Sequence, residues 1–287
     1  MNSFELISDY KLNDSLRNSF NELASQTFGI DFEKWYQAGF WNENYICYSY
    51  MVDNRIISNV SVNKLQWIID GKSYRALQIG TVMTLTEYRK QGLASRLMRF
   101  VLDTYRNWFD IIYLFPEDDA HEFYKNFGFV LTHDSTFEFA LAPQESPTTH
   151  RQLKLSHPQD RELFLNLMKK RTIRSNEFDV TGSEHILTWF CVNLLSDCIY
   201  YLPDFQVIVL YKINGSEMHI YDIIADKPYS LGDVCNALAT RSTEKVVLYF
   251  TPESSDMLIA HPNESMFILT NNTPIPSIFA HPFTAHA

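Results

Sequence analysis

The stretch EYRKQGLASRLMRF (residues 87–100) contains a short basic turn between a predicted strand and a predicted helix. The preceding segment, YRALQIGTVMTL (74–85), has the β-branched and aromatic content of a strand. After the glycine, apolar residues recur with helical spacing at Leu93, Ala94, Leu97, Met98, Val101, Leu102 and Tyr105. The first N–H groups of a helix have no partner within it, and the helix dipole adds partial positive charge there. Together with Arg89 and Lys90, this order predicts an anion-binding turn. An ordinary strand-to-helix turn with solvated cations is the alternative that the pattern alone leaves open.

The segments around this turn alternate between strand-like and helix-like patterns. Upstream we expect a strand at 4–9, a helix after Asn13, an aromatic-rich segment at 28–41 and strands at 45–52 and 55–69. Downstream, DIIYLF (110–115) predicts a strand buried on both faces. A short helix at 118–127 and a final strand pair at 129–132 and 136–141 follow.

The segment APQESPTTH (142–150) has the composition of a linker. We therefore predict two domains, residues 1–147 and 148–287. Beyond the linker we expect a strand at 151–156, helices at 157–171 and 183–195, and a hairpin that turns at Asn214 and Gly215. A helix at 230–240 and the strand KVVLYF follow. The likeness of IIYLFPE (111–117) to VVLYFTPE (246–253) suggests an internal duplication.

Composition excludes several classes of protein. The formal net charge is −10 and no basic block occurs, which disfavours a nucleic-acid partner and suits a cationic small substrate better. No apolar run is long enough to cross a membrane, and the first residues lack the pattern of a signal peptide, so we expect a cytoplasmic protein. Four cysteines without CxxC spacing indicate buried thiols. We expect no metal site, and interpret His281 and His286 as part of a frayed tail.

Two motifs identify a resemblance to a known family. The segment GTVMTLTEYRKQGLASRLM (80–98) resembles the acyl-CoA-binding motif of the GNAT superfamily of N-acetyltransferases, whose turn has the pattern Arg/Gln-x-x-Gly-x-Gly/Ala. AHEFYKNFGF (120–129) resembles a second motif of that family at the expected distance. The resemblance covers about residues 4–141. It implies an α/β (α+β) fold with a mixed, mostly antiparallel sheet flanked by helices. The second, smaller half is then a degenerate GNAT-like domain, because its turn ADKPYSLGDV lacks the glycine-and-cation pattern.

The resemblance also implies roles for individual residues. The backbone of Val82, Met83 and Thr84 would pair with the pantetheine arm, and Tyr124 would protonate the departing CoA thiolate. A packed aromatic residue is the alternative for Tyr124, since it shares a predicted helical face with other apolar side chains. Where many relatives have an asparagine that contacts pantetheine, this chain has Glu117. The backbone amides expected to hold the pyrophosphate belong to Arg89, Lys90, Gln91, Gly92, Leu93, Ala94 and Ser95.

The acceptor site and the general base are less well defined. Phe32, Trp35 and Trp41 are candidates for an aromatic wall against the substrate, with filling of the core as the commoner alternative. Relatives often carry a glutamate on the fourth strand, where this chain has Gln78, which cannot act as a base. A water-mediated route is open, and the other candidate bases are Glu43, Glu117, Asp118 and His121.

These features predict an acetyl-CoA-dependent N-acetyltransferase that acts on a small primary amine through a ternary complex, with acetyl-CoA as donor. A homodimer is left open. Two alternatives remain at this stage: a non-catalytic acyl-CoA-binding or sensing protein, and a tandem GNAT transferase that uses a longer acyl or aminoacyl donor.

Overall fold

The computed structural model describes residues 4–117, 120–142, 149–253, 258–270 and 272–287. Its helices are α1 (Asp14–Phe28), α2 (Glu33–Gln37), α3 (Leu93–Tyr105), α4 (His121–Lys125), α5 (Pro158–Lys170), α6 (Glu184–Asn193) and α7 (Leu231–Leu238). Its strands are β1 (Glu5–Ser8), β2 (Tyr45–Val52), β3 (Arg55–Ile69), β4 (Lys72–Thr84), β5 (Ile111–Leu114), β6 (Val130–Ala140), β7 (Arg151–Gln152), β8 (Phe178–Thr181), β9 (Ile199–Leu202), β10 (Val207–Asn214), β11 (Glu217–Ile224), β12 (Lys245–Leu248) and β13 (Ile259–Thr270).

One sheet runs through both halves of the chain. Its strand order is β1-β2-β3-β4-β5-β13-β6-β12-β11-β10-β9-β7, and β8 pairs with β3 beside this path. The pairs β4–β5 and β11–β12 are parallel, and the other pairs of this path are antiparallel. The expected mixed, mostly antiparallel sheet flanked by helices is therefore confirmed.

The two halves of the chain exchange strands at the centre of this sheet. β13, from the end of the sequence, lies between β5 and β6. β6, from the first half, lies between β13 and β12. The predicted boundary near residue 148 falls in 143–148, outside the described residues, and the division into two domains stays a prediction.

Several local expectations were wrong in detail. The strand pair predicted at 129–132 and 136–141 is a single strand, β6, because β13 pairs along it and the backbone N–H of Glu264 donates to Asp134 Oδ1 at 2.7 Å. The strand predicted from Arg151 is limited to two residues, and β8 and β13 were not predicted. The helix predicted at 118–127 is α4, and residues 118 and 119 lie outside the described part.

Helix α3 packs on the sheet through the apolar stripe that the sequence predicted. Leu97, Met98 and Val101 are completely buried and pack with Leu77 of β4 and Val60 of β3. Each such side chain stabilises the fold by about 1.5–3 kcal/mol relative to an exposed position. This packing fixes the start of α3 beside the end of β4. Among the described residues, no helix has the length and hydropathy required to cross a membrane.

β4 and β5 separate where the predicted site begins. They pair only from Ala76 to Gln78 on β4, opposite 111–113. Further along, the register of β4 against β3 shifts, and Thr81 adopts a left-handed backbone conformation with φ of 44°. Asn59 Nδ2 stabilises this irregularity by donating to the Thr81 carbonyl at 2.8 Å. β4 and β5 are therefore no longer paired beyond Gln78 and Tyr113.

Candidate functional site

The turn before α3 has the backbone geometry of an anion site. Gly92 caps the helix in the left-handed region with φ of 74°, and among the described residues no side chain hydrogen-bonds to cap this helix. A Cβ atom at Gly92 would have no heavy atom of the described residues within 4 Å, apart from its chain neighbours. The space beside the first N–H groups of α3 is therefore open. Glycine suits this position because other residues adopt such a φ only with strain.

A cavity of about 770 Å³ runs from this turn along the open end of β4. Arg89 lies at its edge, with Nε donating to the Thr84 carbonyl at 3.1 Å. Its volume and open backbone amides fit an extended phosphorylated ligand such as an acyl-CoA. The cavity is lined by Thr27, Phe28, Val82, Met83, Thr84, Arg89, Ala94, Glu117, Ala120, Phe123 and Tyr124.

The lining contains only part of the predicted residue set. Val82, Met83, Thr84, Arg89 and Ala94 are present. The lining does not include Lys90, Gln91, Gly92, Leu93 and Ser95, and the buried side chain of Leu93 packs in the core. A backbone contact needs no side chain in the lining, so the role expected of these amides stays a prediction.

Tyr124 lines the same cavity from α4. It is 5% exposed, with ring contacts to Phe123, Phe129 and Phe267. Its packing and its position on the cavity are compatible, because a tyrosine can present its hydroxyl while its ring is buried. The role of Tyr124 as proton donor stays a prediction.

A second, smaller cavity of about 110 Å³ lies on the other side of the β4 irregularity. Thr81 lines it, whereas the next residue, Val82, lines the larger cavity. The Tyr45 hydroxyl and Thr81 Oγ1 are hydrogen-bonded at 2.7 Å. The lining consists of Ile30, Phe32, Trp35, Tyr45, Asn63, Thr81, His185, Ile186, Trp189, His286 and Ala287.

The predicted aromatic wall is only partly in this lining. Phe32 and Trp35 contribute to it, although both are largely buried. Trp41 is not in the lining; it stacks on Trp35 with ring centroids 5.5 Å apart and donates to the Tyr45 carbonyl. Trp41 therefore lies against Trp35 and outside the lining of the cavity. Contact of Phe32, Trp35 and Trp41 with a substrate stays a prediction.

The polar groups of the smaller cavity come from both halves of the chain. His185 Nε2 and Asn63 Oδ1 are 2.9 Å apart, and both residues are buried. Burial lowers the pKa of His185 to about 3, so its ring is neutral at physiological pH. Asn63 Nδ2 is buried and has no hydrogen-bond partner among the described residues. This donor is available to an oxygen atom of a ligand in the cavity.

His286 and Ala287, at the end of the segment 281–287, line the smaller cavity. In the amide orientation that satisfies both groups, Gln78 Nε2 donates to the Ala285 carbonyl at 3.1 Å and Gln78 Oε1 accepts from Ala287 N at 3.0 Å. Thr284 Oγ1 donates to the buried Asp222 at 2.6 Å. The frayed tail expected at His281 and His286 was therefore wrong. Sequence reasoning missed this segment because its anchors lie far away in the chain.

The comparisons with known proteins agree with this geometry. The family model for the acetyltransferase (GNAT) domain matches residues 10–132. This part of the chain therefore resembles a GNAT acetyltransferase domain, a fold that supports acyl transfer from acyl-CoA in general. A search of curated proteins finds no match to the chain.

Solved structures with the same fold extend over nearly the whole chain. A probable N-acyltransferase from Enterococcus faecalis V583 has a TM-score of 0.62 at 15% identity, over 94% of this chain and 73% of that one. The GCN5-related N-acetyltransferase from Kribbella flavida has a TM-score of 0.58 at 14% identity, over 93% and 71%. The GCN5-related N-acetyltransferase from Anabaena variabilis ATCC 29413 has a TM-score of 0.57 at 15% identity, over 93% of this chain and 72% of that one. These similarities establish the fold of the GNAT domain and of the residues that follow it.

The candidate bases named from the sequence do not converge on the smaller cavity. Glu117 lines the larger cavity, Glu43 is exposed and in neither lining, and Asp118 lies outside the described residues. His121 packs edge-on against Phe267 and is also in neither lining.

In the part of the chain that the structure describes, no group of three or more histidine, cysteine or acidic residues is arranged to hold a metal ion.

Proposed function

We propose that this protein is an acetyl-CoA-dependent N-acetyltransferase that acetylates a small primary amine through a ternary complex. The observation that carries the proposal is the position of the two cavities on either side of the β4 irregularity. Val82 faces the larger one and Thr81 the smaller one. An acyl-CoA in the first and an amine in the second would meet at this point.

The chemistry expected at this junction is direct transfer. The amine nitrogen attacks the thioester carbonyl carbon, a tetrahedral intermediate forms, and its collapse breaks the carbon–sulfur bond. The leaving thiolate takes a proton from the Tyr124 hydroxyl, because proton donation stabilises sulfur as a leaving group. Tyr124 lies on the larger cavity, the side on which the thiol would depart, which supports this assignment.

The lining of the smaller cavity supports an acceptor with a small apolar body. No aspartate or glutamate belongs to the described lining, so nothing there holds a second cationic group. Phe32, Trp35 and Trp189 provide aromatic surface, and Asn63 provides a hydrogen-bond donor. A small arylalkylamine with one oxygen substituent matches these features.

We further propose that residues 148–287 are a degenerate GNAT-like domain that completes the acceptor site. The parallel pair β11–β12, with α7 between the two strands, repeats the order of β4, α3 and β5. The turn before α7 contains Pro228 in place of the glycine-and-cation pattern. Helix α6 supplies His185, Ile186 and Trp189 to the smaller cavity, which is the proposed acceptor site and is called the acceptor cavity below. A cytoplasmic location and a homodimer stay predictions.

Calorimetry and a thiol-release assay test the proposed function. The purified protein is titrated with acetyl-CoA, with CoA and with ATP, and acetyl transfer to 2-phenylethylamine, tyramine and spermidine is then followed. We expect one acetyl-CoA per chain, no response to ATP and transfer to the aromatic amines. Binding without transfer would favour the non-catalytic alternative. Faster transfer from octanoyl-CoA than from acetyl-CoA would favour the longer-chain donor.

A further inference from the structure

His286 is a histidine near Gln78, the strand position at which the sequence offers no base. It lies between Ala285 and Ala287, whose backbones Gln78 holds, and it is a lining residue of the acceptor cavity. The ring packs on Phe115 with centroids 3.7 Å apart and an interplanar angle of 32°. Phe115 directly follows β5, so His286 lies in the opening where β4 and β5 separate. Gln78 cannot accept a proton from an amine, but its hydrogen bonds hold the backbone on both sides of His286, which carries an imidazole.

Glu264 of β13 orients this imidazole. Its Oε2 lies 3.0 Å from His286 Nδ1. The hydrogen bond from His286 lowers the pKa of Glu264, which keeps the carboxylate ionised. An ionised carboxylate can only accept, so Nδ1 must carry the proton of this contact. The neutral ring then has its lone pair on Nε2, the atom that a general base requires.

The other titratable side chains of the acceptor cavity are poorly suited to this task. Burial lowers the pKa of His185 to about 3, which makes it a weak base. Burial raises the pKa of Tyr45 well above its ordinary value, and its hydroxyl is bonded to Thr81. Glu117 lines the larger cavity, where the leaving thiol is expected. The geometry therefore favours His286.

We propose that His286 is the general base of acetyl transfer and that Glu264 is its positioning residue. The proposal deepens the proposed function and rests on it. His286 Nε2 takes one proton from the substrate ammonium, which frees the nitrogen lone pair for attack on the thioester carbonyl. The resulting imidazolium is paired with the Glu264 carboxylate, and it returns the proton to solvent after the product leaves. Tyr124 supplies a different proton, to the thiolate, and the second proton that the nitrogen loses as the amide forms restores the Tyr124 hydroxyl through solvent, so the release of one proton from His286 balances the reaction.

The tautomer of His286 is measured first, on the full chain without substrate. Nitrogen NMR of the imidazoles distinguishes a ring protonated at Nδ1 from one protonated at Nε2. In the neutral ring we expect the proton on Nδ1 in the wild type and the loss of this preference in Glu264→Gln. A neutral ring protonated at Nε2 would overturn the proposed arrangement, because the lone pair would then face Glu264.

The kinetic test uses acetyl-CoA with 2-phenylethylamine or tyramine as the probe amine. For His286→Asn we expect kcat to fall by about 10²–10⁴-fold, the usual contribution of a general base. Asparagine keeps a donor towards Glu264, so a purely structural contact would survive the change. Glu264→Gln should reduce kcat by a smaller factor, and acetyl-CoA affinity should be unchanged in both variants.

A second histidine–glutamate pair serves as the matched control. His261 Nε2 and Glu138 Oε1 are 3.1 Å apart on β13 and β6, and neither residue lines either cavity. His261→Asn makes the same substitution in a comparable histidine–glutamate pair and should leave kcat unchanged. If kcat of His261→Asn fell as far as kcat of His286→Asn, the assignment of His286 as base would be overturned, because any histidine–glutamate contact would then have the same effect.

The pH profile separates a base from a packing residue. The groups that face His286 are Glu264, Asp134, His281 and Tyr249 on one side and Tyr45 and His185 on the other. Burial raises the pKa of Asp134 to about 6, so Asp134→Asn is measured alongside to recognise any contribution from that carboxyl. We expect the acidic limb of the wild-type profile to persist in Asp134→Asn and to disappear in His286→Asn.

The activities of the wild type and of His286→Asn distinguish a wrong assignment of the base from a wrong proposed function. A wild type that transfers acetyl to none of the amines would overturn both. A wild type that turns over while His286→Asn retains the rate and the acidic limb would overturn His286 alone.

Discussion

Replacing Gly92 by glutamate is the most direct test of the anion-binding turn. The glycine has a φ of 74°, and a side chain there would enter open space at the start of α3. The new carboxylate would compete with the pyrophosphate. Two unit charges about 4 Å apart repel by about 4 kcal/mol at an effective dielectric constant of about 20. Solvent screens part of this at an exposed position, so we expect Kd for acetyl-CoA to rise by about ten- to thousandfold.

The same substitution also strains the backbone. A left-handed conformation costs a residue with a Cβ about 1–2 kcal/mol, which would lower Tm by a few degrees. Gly215 provides the matched control, because it has a φ of 63° and its Cβ would also meet nothing within 4 Å among the described residues. It lies in the hairpin between β10 and β11, away from both cavities.

Calorimetry with acetyl-CoA and thermal unfolding are measured on both variants. Gly92→Glu and Gly215→Glu should lose similar stability, while only Gly92→Glu loses affinity for acetyl-CoA. An unchanged Kd in a folded Gly92→Glu protein would refute the assignment of the turn to pyrophosphate. An equal loss of affinity in Gly215→Glu would show that net charge or strain, and not position, is responsible.

Two further predictions concern the proposed proton donor, Tyr124, and the buried ion pairs of Arg174. Tyr124→Phe should retain acetyl-CoA affinity and lower kcat, since only the hydroxyl is removed; equal kcat would assign Tyr124 to packing. Arg174 donates to Asp222 Oδ1 at 2.8 Å and also pairs with Asp179, all three buried. Arg174→Met should lower the free energy of unfolding by about 3–5 kcal/mol in urea, because buried carboxylates lose their partner; a loss below 1 kcal/mol would contradict this. Burial alone would raise the pKa of Asp222, but Arg171 and Arg174 bring it below its ordinary value. Its contribution to stability is therefore present at neutral pH and is lost as the pH falls below about 4.

The larger cavity could be predicted well because its parts are local in sequence. Val82, Arg89, Gly92 and Ala94 lie within thirteen consecutive residues of a strand, a turn and a helix. Each of these elements has a periodicity or a backbone requirement that is visible in the sequence. Tyr124 follows on the next helix of the same unit. The sequence also predicted the aromatic segment that contains Phe32 and Trp35, although it could not separate these two from Trp41.

The acceptor cavity could not be predicted in the same way. His185 and Asn63 are 122 positions apart, and neither has a local signal of the contact they make. His286 and Glu264 become partners only because β13 enters the sheet between β5 and β6. A histidine near the end of a sequence indicates a mobile tail until the groups that anchor it are known. Those anchors, Gln78 and Asp222, are on strands that are distant in the chain.

The sequence by itself therefore determined the local part of this protein: the strand, the glycine turn and the amphipathic helix. These depend on backbone conformation and on apolar periodicity, and both are set within a few residues. The tertiary structure decided the exchange of β6 and β13, the enclosure of the smaller cavity by α6, and the position of His286. These depend on contacts between distant segments, whose formation is governed by the packing of the whole sheet and leaves no periodic pattern in the chain.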